Sequence, residues 1–147
     1  MNNSRGFWLV GGFVVLATLA GCGGPKIEKG VIVKGKVLKG GAPIPGVRPD
    51  AGLGLVQITL LPLAADANKP EPGMALLKAD GSFEIPGHGK GIRPGKYKVV
   101  IVQRDARPGQ PSAVGDKFTQ ANTKLEVEIP ADKIGSEHDL GVIDVDK

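Results

Sequence analysis

The chain holds one cysteine, two histidines and one tyrosine. Any reaction that needs a thiolate, an imidazole base or a phenolate must therefore be built from Cys22, His88, His138 or Tyr97. His138 stands between Glu137 and Asp139, with Asp144 and Asp146 close behind. Imidazole and carboxylate groups are the ligand types of a divalent metal site. Neighbours on an extended chain point to opposite faces, however, so three consecutive side chains do not converge on one ion. The segment reads better as a polar turn ahead of a last strand. His88 lies in Gly87-His88-Gly89-Lys90-Gly91, which is glycine-rich and basic like a phosphate loop. It lacks that loop's spacing, the hydroxyl after the lysine and the helix that should follow. Neither histidine has a recognisable nucleophile partner. No catalytic residue, metal ligand or cofactor is expected, and the chain is not read as an enzyme.

Cys22 has a different chemistry written around it. Arg5 supplies a positive start, Phe7 to Leu19 an apolar run, and Ala20-Gly21 the small residues a signal peptidase needs. A spanning helix wants about 20 apolar residues. This run is shorter and is interrupted by Gly11, Gly12 and Thr18. The order Leu19-Ala20-Gly21-Cys22 resembles the bacterial lipobox. That resemblance implies a diacylglycerol on the Cys22 thiol, cleavage just before it and acylation of the new amino group, so Cys22 is the lipidation site. At about 0.8 kcal/mol per buried CH₂, two or three acyl chains make release very slow. The implied partner is a membrane reached through the lipid anchor, and the implied location is the cell envelope. Gly23 replaces the aspartate that retains some lipoproteins at the inner membrane, which points to the outer membrane.

Removal of residues 1–21 takes Phe7, Trp8 and Phe13 with it and leaves Phe83, Tyr97 and Phe118 as the aromatics. Three rings, with Phe83 and Tyr97 read as core, make a poor stacking platform for sugars or bases, so no nucleic-acid partner is expected. No second thiol exists, so no intrachain disulfide can form in an oxidising compartment. The net charge of +4 falls to +3 without Arg5. Lys26, Lys29, Lys34, Lys36 and Lys39 lie close together in sequence; on a strand edge they would discourage sheet aggregation, a better reading than lipid headgroup binding. About 126 residues remain, one domain's worth, expected to be monomeric.

Residues 22–30 have the makeup of a flexible tether, and residues 31–147 read as strand after strand. Val31, Val33 and Val37 alternate with Lys34 and Lys36, the period of a half-buried strand. Val56 to Leu61, Met74 to Lys78, Ser82 to Ile85 and Tyr97 to Gln103 follow. Leu125, Val127 and Ile129 alternate with charged residues, and Ile143 and Val145 close the set. Asp80-Gly81 predicts a hairpin turn. Seven short strands between Gly/Pro turns, with no amphipathic helical run, predict an all-β antiparallel sandwich. Two segments, 41–54 and 105–122, exceed tight turns and are expected to be mobile more than ligand-binding.

The order Val33-Lys-Gly35-Lys-Val37, Pro43-Ile-Pro-Gly46, Ala79-Asp80-Gly81-Ser82-Phe83 and Pro94-Gly95-Lys-Tyr97-Lys-Val99 resembles the carboxypeptidase regulatory-like domain. The likeness is to short bacterial lipoproteins that carry one such domain, and it extends to Asp116-Lys117-Phe118, Thr123-Lys-Leu125-Glu-Val127 and Leu140-Gly141-Val-Ile143. It implies a seven-stranded Greek-key β-sandwich of the prealbumin-like (transthyretin-like, Ig-like) type. The stretch Arg48 to Gly54 departs from that pattern by lengthening the first hairpin. Enzymes on similar sandwiches do not fit the inventory. Ring-cleaving dioxygenases hold iron with two tyrosines and two histidines; hydroxyisourate hydrolases end in Tyr-Arg-Gly-Ser and need several histidines. The expectation is a non-catalytic, membrane-anchored envelope lipoprotein whose sandwich is a structural or protein-interaction module for an envelope protein or wall component. The alternative is a peptide- or carbohydrate-binding module using the 41–54 and 105–122 loops.

Overall fold

In the computed structural model, residues 29–63, 71–104 and 112–147 are described, His88 by its backbone alone. Cys22 and the whole of residues 1–28 lie outside them. The strands are β1 (Ile32–Lys39), β2 (Ala42–Pro43), β3 (Val56–Pro62), β4 (Gly73–Leu76), β5 (Ser82–Ile85), β6 (Gly95–Gln103), β7 (Glu126–Ile129) and β8 (Glu137–Asp144). The fold is all-β, with two four-stranded sheets. In one, β1 is flanked by β2, β5 and β8; the other runs β4-β3-β6-β7. The eighth strand is the two-residue β2, folded back on β1 through Gly40-Gly41.

The sequence period becomes the core directly. Val33 and Val37 of β1, Phe83 and Ile85 of β5 and Ile143 of β8 are buried. Val56, Ile58 and Leu60 of β3, Tyr97, Val99 and Ile101 of β6 and Ile129 of β7 join them in one cluster. Each fully buried aliphatic side chain contributes about 1.5–3 kcal/mol, so these alternating positions hold the fold without a disulfide. Gly35 keeps the inward phase of β1 but has no side chain. A Cβ there would lie 2.8 Å from the ring of Phe83 and 3.0 Å from the Gly141 carbonyl oxygen.

Three expectations need correction. Pairing is antiparallel except between β1 and β8, which run parallel; β8 returns only after the chain has built the other sheet, a connection long enough to reverse its sense. β1 is a middle strand, not an edge. Lys34 therefore bridges its neighbours, 2.6 Å from Glu137 on β8 and 3.6 Å from Glu84 on β5, and Lys36 lies 3.8 Å from Asp80. The Asp80-Gly81 turn is tight, with Gly81 at φ 80° and the Ser82 N–H donating to Asp80 Oδ1 at 3.0 Å. The strands it joins, β4 and β5, nevertheless pair in different sheets, so it is a corner, not a hairpin.

The long segments contribute to the core where they are described. In 41–54, Ile44 and Val47 are buried, and Arg48 bridges Leu53 around a 3-10 turn over Pro49–Ala51. In 105–122, the described part folds onto the core: Val114 and Phe118 are buried, the Ala113 N–H donates to Gln103 Oε1 at 2.7 Å, and the Ile101 N–H donates to the Phe118 carbonyl at 2.9 Å. In the described parts of both segments, apolar anchors inside polar sequence pack against the core.

Candidate functional site

β7 is an outer strand of one sheet and β8 of the other, and a groove of about 920 Å³ opens where these two edges part. Its apolar lining comes from Phe118, Leu125 and Val127 on one side and Leu140, Val142 and Ile143 on the other. Lys117, Lys124 and Lys147 stand around it, with Asn122, Gly41 and Asp144. The groove thus draws on both long segments, through Gly41 from the first and Lys117, Phe118 and Asn122 from the second.

A bulge in β8 shapes the wall. Asp139 pairs with Lys34 and Val142 with Lys36, so Leu140 and Gly141 together oppose Gly35. One extra residue interrupts the two-residue alternation. Leu140 and Ile143 both line the groove although three apart, while Val142, 61% exposed, forms its lip. Gly141 takes φ 72° at the bulge, a conformation that favours glycine, and donates its N–H to Asp139 Oδ1 at 2.8 Å.

The charges are unequal in their freedom. Asp144 accepts from the N–H groups of Asp146, Gly40 and Gly41 at 3.1, 3.0 and 3.1 Å. These bonds, that from Asp146 foremost, hold its carboxyl below the ordinary value. Lys117 donates to the Lys147 carbonyl and lies 5.5 Å from the Phe118 ring centroid. The Asp144 carboxylate is held by three backbone donors and Lys117 by the Lys147 carbonyl, while the side chains of Lys117, Lys124 and Lys147 all stand exposed.

The groove lies away from the point where the chain enters the domain. There the Gly30 N–H donates to the Lys90 carbonyl at 2.5 Å, the Gly135 N–H to the Gly30 carbonyl at 2.8 Å, and Val31 exchanges bonds with Ile92. β8 runs parallel to β1, so its late residues sit near Lys39, about 20 Å along the strand from Ile32.

The residues singled out from sequence separate. Cys22 is outside the described residues. His88 falls in the 3-10 turn Gly87–Gly89, and His138 is half-buried on β8 opposite Val33. Glu137 turns to Lys34 and Asp139 to the Gly141 N–H. Among the described residues no three His, Cys, Asp or Glu side chains gather to hold a metal. Phe83, Tyr97 and Phe118 are all buried. The Tyr97 hydroxyl donates to the Arg93 carbonyl at 2.6 Å, and burial pushes its pKa up to about 12.

Sequence reasoning missed the groove. Its one trace was the Leu140-Gly141-Val142 run, where two apolar residues flank a glycine in the wrong phase for a regular strand. A second apolar surface lies on the outer face of the β4-β3-β6 sheet. Met74 and Val100 face Thr59, and Leu76 and Val102 face Gln57. Met74, Leu76 and Val102 are 57%, 47% and 40% exposed. Compared with known proteins, the chain matches no family model, no curated protein and no solved structure.

Proposed function

We propose that this chain is a lipid-anchored protein of the bacterial cell envelope, tethered through Cys22 at the outer membrane, whose β-sandwich is a non-catalytic structural or protein-interaction module. The observation that carries the reading is the order of the N-terminal residues: Arg5, the apolar run, then Leu19-Ala20-Gly21-Cys22. Two further observations support it. The Met74, Leu76 and Val102 face offers exposed apolar area of the kind that protein contacts use. The loop-and-strand order is compatible with the seven-stranded Greek-key sandwich of a carboxypeptidase regulatory-like domain, with β2 as a short addition.

Intact mass of the protein extracted from its native membrane, beside a Cys22→Ser variant, tests the anchor. The expected wild-type mass begins at Cys22 and carries acyl groups, and the variant is unprocessed. Unmodified Cys22 with residues 1–21 retained would remove the anchor and the address with it.

A second reading, a peptide- or carbohydrate-binding module, is favoured by one observation: the 41–54 and 105–122 segments both reach the same groove. Among the described residues Phe118 is the one ring that lines the groove, and a single largely buried ring makes a poor platform for stacking a sugar.

A further inference from the structure

We propose that the groove between β7 and β8 is a binding site for an acyl chain that ends in an anionic group, such as a fatty acid. Ligand pockets are concave, mostly apolar and finished by a few polar groups that fix orientation. The groove has this composition: an apolar lining from Phe118, Leu125, Val127, Leu140, Val142 and Ile143, with ammonium groups at its margin. Along β8 it extends from Leu140, opposite Gly35, to beyond Asp144, opposite Leu38, about 10 Å of strand, which suits an elongated apolar body. Among the described lining side chains, Lys117, Lys124 and Lys147 supply three positive charges against one carboxylate, Asp144, whose oxygens already accept from three backbone N–H groups. The complement of this surface is an apolar chain with a negative end.

An extended peptide added to β8 fits less well. The bulge breaks the regular edge such an addition needs. Two backbone groups are already engaged, the Gly141 N–H by Asp139 and the Asp144 carbonyl by the Lys147 N–H. Exposed Glu137 and Asp139 lie along the same strand.

The test is photo-crosslinking of the full chain in phosphatidylcholine vesicles with a diazirine-bearing palmitate, the modified residues being mapped by mass spectrometry. Labelling is expected within 117–127 and 138–147, with competition by unlabelled palmitate. Val142→Glu places a negative charge on the apolar lip at an exposed position, and Lys117→Glu with Lys124→Glu reverses two of the margin charges. Each is expected to cut labelling of the groove at least tenfold, whereas Met74→Glu, on the outer face of the other sheet, leaves it unchanged. Circular dichroism confirms that each variant stays folded. Labelling spread over both surfaces, insensitivity to these variants, or displacement by an extended apolar peptide but not by palmitate would overturn the proposal. Cys22→Ser is expected to abolish membrane anchoring and leave groove labelling intact, so the two proposals fail separately.

Discussion

The Tyr97 hydroxyl donates to the Arg93 carbonyl at 2.6 Å, four residues back along the chain, with Pro94, Gly95 and Lys96 between them. The bond fixes the path into β6 and satisfies the one polar atom of a side chain that is otherwise wholly buried.

Tyr97→Phe keeps the ring and leaves the Arg93 carbonyl without this donor, at an expected cost of about 1–2 kcal/mol by urea unfolding. The wild-type phenol has its pKa raised by burial from 10.0 to about 12. The folded state therefore holds this proton more tightly than the unfolded state. The associated stability is complete below pH 10 and declines as pH rises from there toward 12. Urea midpoints measured across that window are expected to fall more steeply for the wild type than for Tyr97→Phe.

Gly35→Ala puts a methyl against the Phe83 ring and the Gly141 carbonyl. Overpacking of this kind destabilises by about 1–3 kcal/mol. Because the two residues touch, Phe83→Leu is expected to relieve part of the loss, and a double-mutant cycle should show coupling of about 0.5 kcal/mol or more. Strict additivity would mean that the ring is not the obstacle.

Asp144 ties the Gly40-Gly41 turn to the end of β8. Its carboxyl is held low in the folded state, so its contribution is present above the ordinary value of 3.8 and is lost as pH falls through the folded one. In Asp144→Asn the melting temperature is expected to depend less on pH over the acid limb. An unchanged pH dependence would show that these bonds carry no differential proton affinity.

At Gly30 a Cβ would stand 2.5 Å from the Gly91 carbonyl carbon and 2.7 Å from the Ile92 oxygen, both backbone atoms that cannot swing aside. Gly30→Ala is expected to destabilise by about 2 kcal/mol or more. Hydrogen exchange at the Val31, Ile92 and Gly135 amides should accelerate first, since their bonds converge there.

The core was readable because burial imposes a period of two, and Val31, Val33, Phe83, Ile85, Leu125 and Ile129 carry that period in the letters. Partnership was not. Whether β1 is an edge or a middle strand depends on where β8 returns, which no local pattern around Lys34 and Lys36 encodes. The Asp80-Gly81 turn illustrates the same limit: its residues specify a reversal, but the strand before it pairs with β3, a ladder that the Leu77 N–H extends to the Val56 carbonyl, and the strand after it with β1. The groove was least legible. It arises where two edges diverge, and the bulge at Leu140-Gly141 that opens it looks in sequence like a mere lapse of alternation. His88 and His138 drew notice by chemical type alone, and His138 proves to be a half-buried strand residue.

The parallel pairing of β1 and β8 has a mechanical consequence. Backbone bonds in a sheet run across the strands, so a pull along β1 from the Gly30 end loads the β1–β8 and β1–β5 ladders together in shear, and no single bond bears the force alone. A protein held at its N-terminal side and tugged at the far end of β8 would resist as a lap joint does, whereas the same bonds pulled one after another at right angles would open like a zip.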